Sequence, residues 1–197
     1  MDLKSESFRD GGVIPGEFCF AVIAEKGHTA PGKNRNPELK WSDVPEGTKS
    51  FALICHDPDV PSRFDDANKE GREIAASLPR RDFYHWLLWN IPASAREIAA
   101  GSLSEGKKGP EASGGMRQGI NDYSGSSGDH YRYDGPCPPW NDSIVHHYVF
   151  TVYALDVERL EVKGRATGEN VRAGLKGHVL AEAKVTGVYS LNPKVRV

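Results

Sequence analysis

Residues 133–156 read YDGPCPPWNDSIVHHYVFTVYALD. From His146 onward the run is short and rich in β-branched and aromatic residues, which marks a strand. Alternation puts His146 on one face with Tyr148, Phe150 and Val152, and His147 on the other. Upstream, Gly135 allows close backbone approach, and Pro136, Pro138 and Pro139 hold the turn around Cys137 stiff. Such a turn can aim backbone N–H groups into a cavity at small entropic cost on binding. A histidine, a phenol and N–H donors converging there suit an oxyanion. Nearby carboxylates would orient the imidazoles and hold them protonated.

Working outward, similar runs bounded by turn residues stand at EFCFAVIA (17–24), KSFALICHD (49–57), FYHWLLWNI (83–91) and AKVTGVYSL (183–191). Long Pro/Gly-punctuated connections separate them, with few helical windows before residue 165. The pattern predicts a mainly β fold of antiparallel sheets, sandwich-like and single-domain over 1–197. A helix is expected over 167–183, where Val171, Leu175, Val179 and Leu180 have helical spacing and Thr167 is a cap. A second short helix is expected near 93–101. Half of the positions in 101–128 are Gly or Ser, which reads as a surface loop. The charged stretch 62–82 reads as a solvated connection.

The 197 residues suffice to bury a core without staples. A net charge of −2 supplies no global field for nucleic acid or an anionic membrane. The three cysteines, Cys19, Cys55 and Cys137, form no C-x-x-C, which argues against a disulfide framework or structural zinc and suits a reducing compartment. The opening residues lack an apolar h-region, and no run approaches the roughly 18 apolar residues of a membrane span. A cytoplasmic protein is expected. The sequon at Asn141 then meets no glycosylation machinery.

Several motifs fail on their own terms. GSLSEGKK (101–108) has P-loop spacing, but Lys108 stands where a magnesium-binding Ser or Thr is required, and Gly109-Pro110 blocks the helix. GSSG (125–128) is one residue short of a nucleophile elbow. No metal or cofactor motif is present.

Three clusters remain. In DPDVP, Asp57 and Asp59 leave a strand end in extended conformation and are expected to point the same way; taken alone, this is a polar turn. In DFYHWLLWNIP, alternation would put Phe83, His85, Leu87 and Trp89 on one face and Tyr84, Trp86, Leu88 and Asn90 on the other, as in a central strand. A lone histidine there is more often a satisfied core residue. The third cluster is GPCPP with the strand from His146.

Together, D-P-D-x-P, the H-W strand ending N-I-P, and G-P-C-P-P leading to H-x-Y-V-F-T-x-Y-A-L-D resemble the phosphatidylethanolamine-binding protein family, most of all its bacterial Raf-kinase-inhibitor-like branch. IPGEFCF, NPELKWSDVPEGTKSFALIC and GINDYSG agree, and the resemblance spans most of residues 10–191. It implies antiparallel sheets and a small pocket for phosphate-like anions and phosphorylated head groups. Carried over residue by residue, that pocket comprises Asp57, Asp59, His85, Gly135, Cys137, Pro138, His146 and Tyr148. His85 and His146 would bind the anion, and Asp57 would pair with a histidine or a cationic amine. Where many relatives carry Arg after the pocket histidine, this chain has His147. The resemblance implies no metal and no cofactor, and adds a homodimer as an expectation.

The expected function is non-enzymatic binding of a small phosphorylated or anionic ligand, such as a phospholipid head group. Ser62 and Ser143 carry no sign of a catalytic triad. The alternative is an interaction regulator that inhibits a kinase or protease, with 62–82 as contact surface. A His/Asp metal hydrolase is a third class, disfavoured by the resemblance.

Overall fold

The computed structural model describes residues 1–104, 109–126 and 128–197. Along the chain run β1 (Asp2–Lys4), β2 (Ala21–Ile23), β3 (Thr29–Pro31), β4 (Leu39–Ser42), β5 (Ser50–Pro61), β6 (Arg80–Pro92), β7 (Glu97–Ile98), β8 (Arg117–Gln118), β9 (His146–Leu155), α1 (Gly168–Leu175) and β10 (Val179–Tyr189). The four long apolar runs pair with each other. They make a five-stranded antiparallel sheet in the order β10-β9-β5-β6-β8, beside a three-stranded sheet β1-β4-β7 and the hairpin β2-β3.

Both faces of the large sheet are covered, which explains why its central strands read as nearly continuous apolar runs. One face carries Leu53, Cys55, Trp86, Leu88, Tyr148 and Phe150, and packs against Leu3, Leu39, Trp41 and Ile98 of the small sheet. The other carries Ala52, Ile54, Tyr84, Leu87, Trp89 and Leu155, under Val171 and Leu175 of α1. The result is the mainly β sandwich expected from the sequence.

Several local expectations need correction. The helix stops at Leu175 because Gly177 takes a left-handed conformation (φ 84°), and Val179 and Leu180 open β10 instead. Thr167 does cap it, accepting from the Asn170 N–H. No helix forms at 93–101: Glu97–Ile98 pairs with β4 and buries Ile98, so tertiary pairing overrides helix propensity. Residues 16–18 form a 3-10 turn ahead of β2. The P-loop-like stretch runs into residues 105–108, and GSSG includes residue 127, so both extend outside the described residues.

The largest correction concerns β6. Cys55 stands opposite Trp86 and His56 opposite Tyr84, so His85 and Trp86 together face one residue of β5. That is a β-bulge, and it breaks the alternation. Trp86 and Leu88 join the core shared with Tyr148, while Leu87 and Trp89 join the core under α1. His85 packs on Tyr148 (ring centroids 5.1 Å apart), not beside Leu87 and Trp89. Two further register slips lie between Phe51 and Leu53 and between Asp57 and Val60 of β5. The bulge at His85 and the slip after Asp57 fall where the candidate site is built.

Candidate functional site

The end of the large sheet where β5, β6 and β9 leave their ladder encloses a cavity of about 330 Å³. Six of the eight residues expected from the sequence line it: Asp57, His85, Cys137, Pro138, His146 and Tyr148. Two do not. Asp59 turns to the rim, where its Oδ2 accepts from the backbone N–H (2.9 Å) and the ring Nδ1 (2.8 Å) of His147. The slip after Asp57 is why the two aspartates do not point the same way. Gly135 lies behind the wall, where an added Cβ would sit 2.1 Å from the Phe18 carbonyl oxygen. Its role is close backbone approach. Val60, Phe64, Asn68, Phe83, Asp122, Tyr123 and Pro139 complete the lining. Phe64 and Asn68 come from the stretch read as a solvated connection. Asn141 pins that stretch, its Nδ2 donating to the carbonyls of Asp66 and Arg72.

His146 is buried and saturated. Its Nδ1 donates to Asp57 Oδ2 (2.7 Å) and its Nε2 to Asp142 Oδ2 (3.1 Å). Arg80 then grips Asp142 with both arms of its guanidinium, at 2.5 and 3.0 Å. The row Asp57–His146–Asp142–Arg80 therefore alternates in charge and sums to zero. Burial works against an imidazolium here, but its hydrogen bonds to Asp142 and Asp57 and their charges prevail and lift the His146 pKa to about 9. Burial likewise opposes the Asp142 carboxylate, yet its bonds to His146 and Arg80 hold it below the usual range. With both ring nitrogens committed to carboxylates, His146 has no proton to offer an incoming anion. The sequence-based expectation made His146 an anion contact; in this geometry both of its ring N–H groups already have carboxylate acceptors.

His85 is the opposite case. Its Nδ1 donates to the Asp134 carbonyl (2.7 Å), which fixes the tautomer. Burial pushes its imidazole below the usual value, against the charge of Asp57 and the bond to Asp134. The ring is neutral near neutral pH, and its Nε2 has no hydrogen-bond partner among the described residues. Asp134 is itself fully engaged: its carboxylate accepts from Asn34, Asn121, His130 and Arg132, each at 2.8 or 2.9 Å. It holds the turn rigidly against His85.

Beside His85 stands Tyr148, 1% exposed, whose hydroxyl is buried with no hydrogen-bond partner among the described residues. A buried phenol normally finds a partner. The Asp122 carboxylate accepts from the Tyr84 N–H (2.8 Å), and burial raises its pKa. At the mouth the Arg81 guanidinium lies 5.8 Å from the ring centroids of both Phe64 and Phe83. The three cysteines are free, and burial pushes the Cys137 thiol up.

The sequence reading missed Asp134 and Asp142, although both sit in the stretch it began from. A signal existed for Asp142, four residues before His146. That spacing has meaning on a helix, but here it spans a turn entering a strand, so only the fold brings the pair together.

Comparison with known proteins gives a consistent answer. The family model described as phosphatidylethanolamine-binding protein matches residues 4–190. A protein of Aquifex aeolicus is 38% identical, over 96% of this chain and 88% of its own. Escherichia coli YbhB is 35% identical, over 96% of this chain and all of its own. The crystal structure of Escherichia coli YbcL, described as a member of the mammalian PEBP family, superposes with a TM-score of 0.73 at 31% identity, covering 96% of this chain and 97% of that one. A homologue from Chlamydia trachomatis superposes at 0.67 with 28% identity, covering 96% of each chain. The chain belongs to the phosphatidylethanolamine-binding protein family.

Proposed function

We propose that this protein binds a small phosphorylated or otherwise anionic ligand, without catalysis, in the cavity between His85 and Tyr148. Family membership supports a binding role in general. The observation that carries the finer reading is the Tyr148 hydroxyl, buried in the cavity wall with no partner among the described residues. A phosphate oxygen accepting from that hydroxyl would satisfy it, and His85 Nε2, once protonated, would supply a second donor to the same group. The cavity volume is at the small end of ligand pockets (roughly 300–1,000 Å³), so it suits a head group rather than acyl chains. Asp122 at the wall could pair with the amine of a zwitterionic head group such as phosphoethanolamine. The raised Cys137 thiol supplies no activated nucleophile, and the Ser143 hydroxyl donates to the Ile74 carbonyl rather than to a base. Three free thiols suit a reducing compartment.

Calorimetric titration with phosphoethanolamine and with inorganic phosphate tests the reading. Tyr148→Phe should weaken binding about tenfold, equivalent to about 1.4 kcal/mol. Equal affinity in wild type and variant would place the ligand elsewhere.

A further inference from the structure

His56 and Asp57 are consecutive on β5, so they open onto opposite faces of the large sheet. Asp57 faces the site described above. His56 faces a separate groove of about 550 Å³, between the C-terminal end of α1 and strands β9 and β10. Four basic side chains line this groove, namely His56, Arg172, Lys176 and Lys184, and no carboxylate does. Thr151 and Tyr153 add hydroxyls, and Leu175 and Val179 an apolar patch.

The charge does not cancel at the rim. Arg172 Nη1 pairs with Asp82 (3.2 Å) and Lys184 with Glu182 (2.8 Å), while Lys176 makes no ion pair among the described residues. Three fixed cations thus face two carboxylates. The end of α1 adds a partial negative charge, smaller than the excess. Two buried side-chain nitrogens of groove-lining residues, the His56 Nδ1 and the Arg172 Nε, have no hydrogen-bond partner among the described residues. Leaving such groups unpaired is costly unless something pairs with them. The Arg172 guanidinium is braced over the Tyr84 ring at 5.1 Å, so its fork is held in place before any ligand arrives.

We propose that this groove is a second anion site, for the terminal phosphoryl group of a phosphate monoester. The guanidinium fork, two ammonium groups, the imidazole and the hydroxyls outnumber what a single carboxylate can accept. A phosphoryl group, with three strong acceptor oxygens and nearly two negative charges, matches them. The apolar patch and the Tyr153 ring would take the organic part. Such a group is found both on soluble esters and at the surface of a membrane containing phosphatidic acid.

His56 is the reporter. Burial first, then the Arg172 charge, hold its imidazole below the usual value, against Asp82 and Asp57, with Lys184 adding to the depression. Its ring resonances can be followed by NMR in the full chain during titration with inorganic phosphate, glycerol phosphate, and vesicles with or without phosphatidic acid. Saturable shifts of the His56 ring with phosphate are expected, in wild type and equally in Tyr148→Phe, which weakens the first site. Replacing the two solvent-facing amines, Lys176→Gln with Lys184→Gln, should weaken the His56 response at least tenfold while His85 responds as before. A response to glycerol phosphate assigns the groove to soluble esters. A response confined to phosphatidic acid vesicles assigns it to a lipid surface. A His56 ring that stays unmoved while His85 shifts, or one that drifts without saturation and identically in the double variant, would overturn the second site and leave the first intact.

Discussion

The two cavity histidines lie on neighbouring parts of one sheet and have opposite chemistry. His146 enters from a regular strand into a space already holding two carboxylates, and becomes a cation with both nitrogens spent. His85 enters from a bulge, finds a carbonyl on one side and no partner among the described residues on the other, and stays neutral. Burial is nearly complete for both, so burial alone does not decide the charge. Partners do. The charged histidine has both nitrogens bound within the scaffold, and in the function proposed above the neutral one is the histidine that meets the ligand.

The largest expected effect follows from removing the scaffold member. His146→Ala would leave Asp57 and Asp142 buried face to face without their shared proton donor, and should cost about 3–5 kcal/mol of stability. Denaturant unfolding measures this directly. A cost below about 1 kcal/mol would erase the distinction between the two histidines.

Next comes the pH dependence of stability, which the two rings should load in opposite directions. The folded His146 pKa, about 9, lies above its unfolded value near ~6.5. Its contribution, on the order of 3 kcal/mol, is complete below the unfolded pKa and disappears as pH rises through about 9. The folded pKa of His85 is depressed, so its contribution is complete above ~6.5 and disappears as pH falls through the folded value. Unfolding curves across that range should lose their alkaline slope in His146→Gln and part of their acid slope in His85→Gln. Unchanged slopes in both variants would contradict the assigned charges.

The smallest effect is the most selective. Tyr148→Phe removes a buried hydroxyl that has no partner among the described residues, so the unliganded protein should be as stable as wild type or gain up to about 1 kcal/mol. A loss of more than about 1 kcal/mol would show that the hydroxyl already serves the fold.

The strands that build this comparison were legible because their apolar runs are long and their turns well marked. The short pieces were not: β1, β3, β4 and β8 have two to four residues each, and are defined by their partners more than by their composition. The helix end was misplaced because Val179 and Leu180 fit the helical period until the strand ladder claims them. At the site, the motifs identified the gathering residues but not their states. The bulge that turns His85 toward Tyr148 depends on register with β5. The carboxylate that saturates His146 from its second side reaches it only through the fold. Asp134, which the sequence reading missed, is the anchor that fixes the His85 tautomer.

The central claim is that His146 is a locked imidazolium and His85 a neutral ring awaiting a proton. Nitrogen NMR of the histidine side chains near neutral pH, before and after saturation with inorganic phosphate, tests it directly. The account predicts that His146 is doubly protonated in both states, and that His85 changes from its Nδ1–H tautomer to the cation when phosphate binds. A neutral His146, or phosphate binding that alters His146 and leaves His85 unchanged, would contradict it.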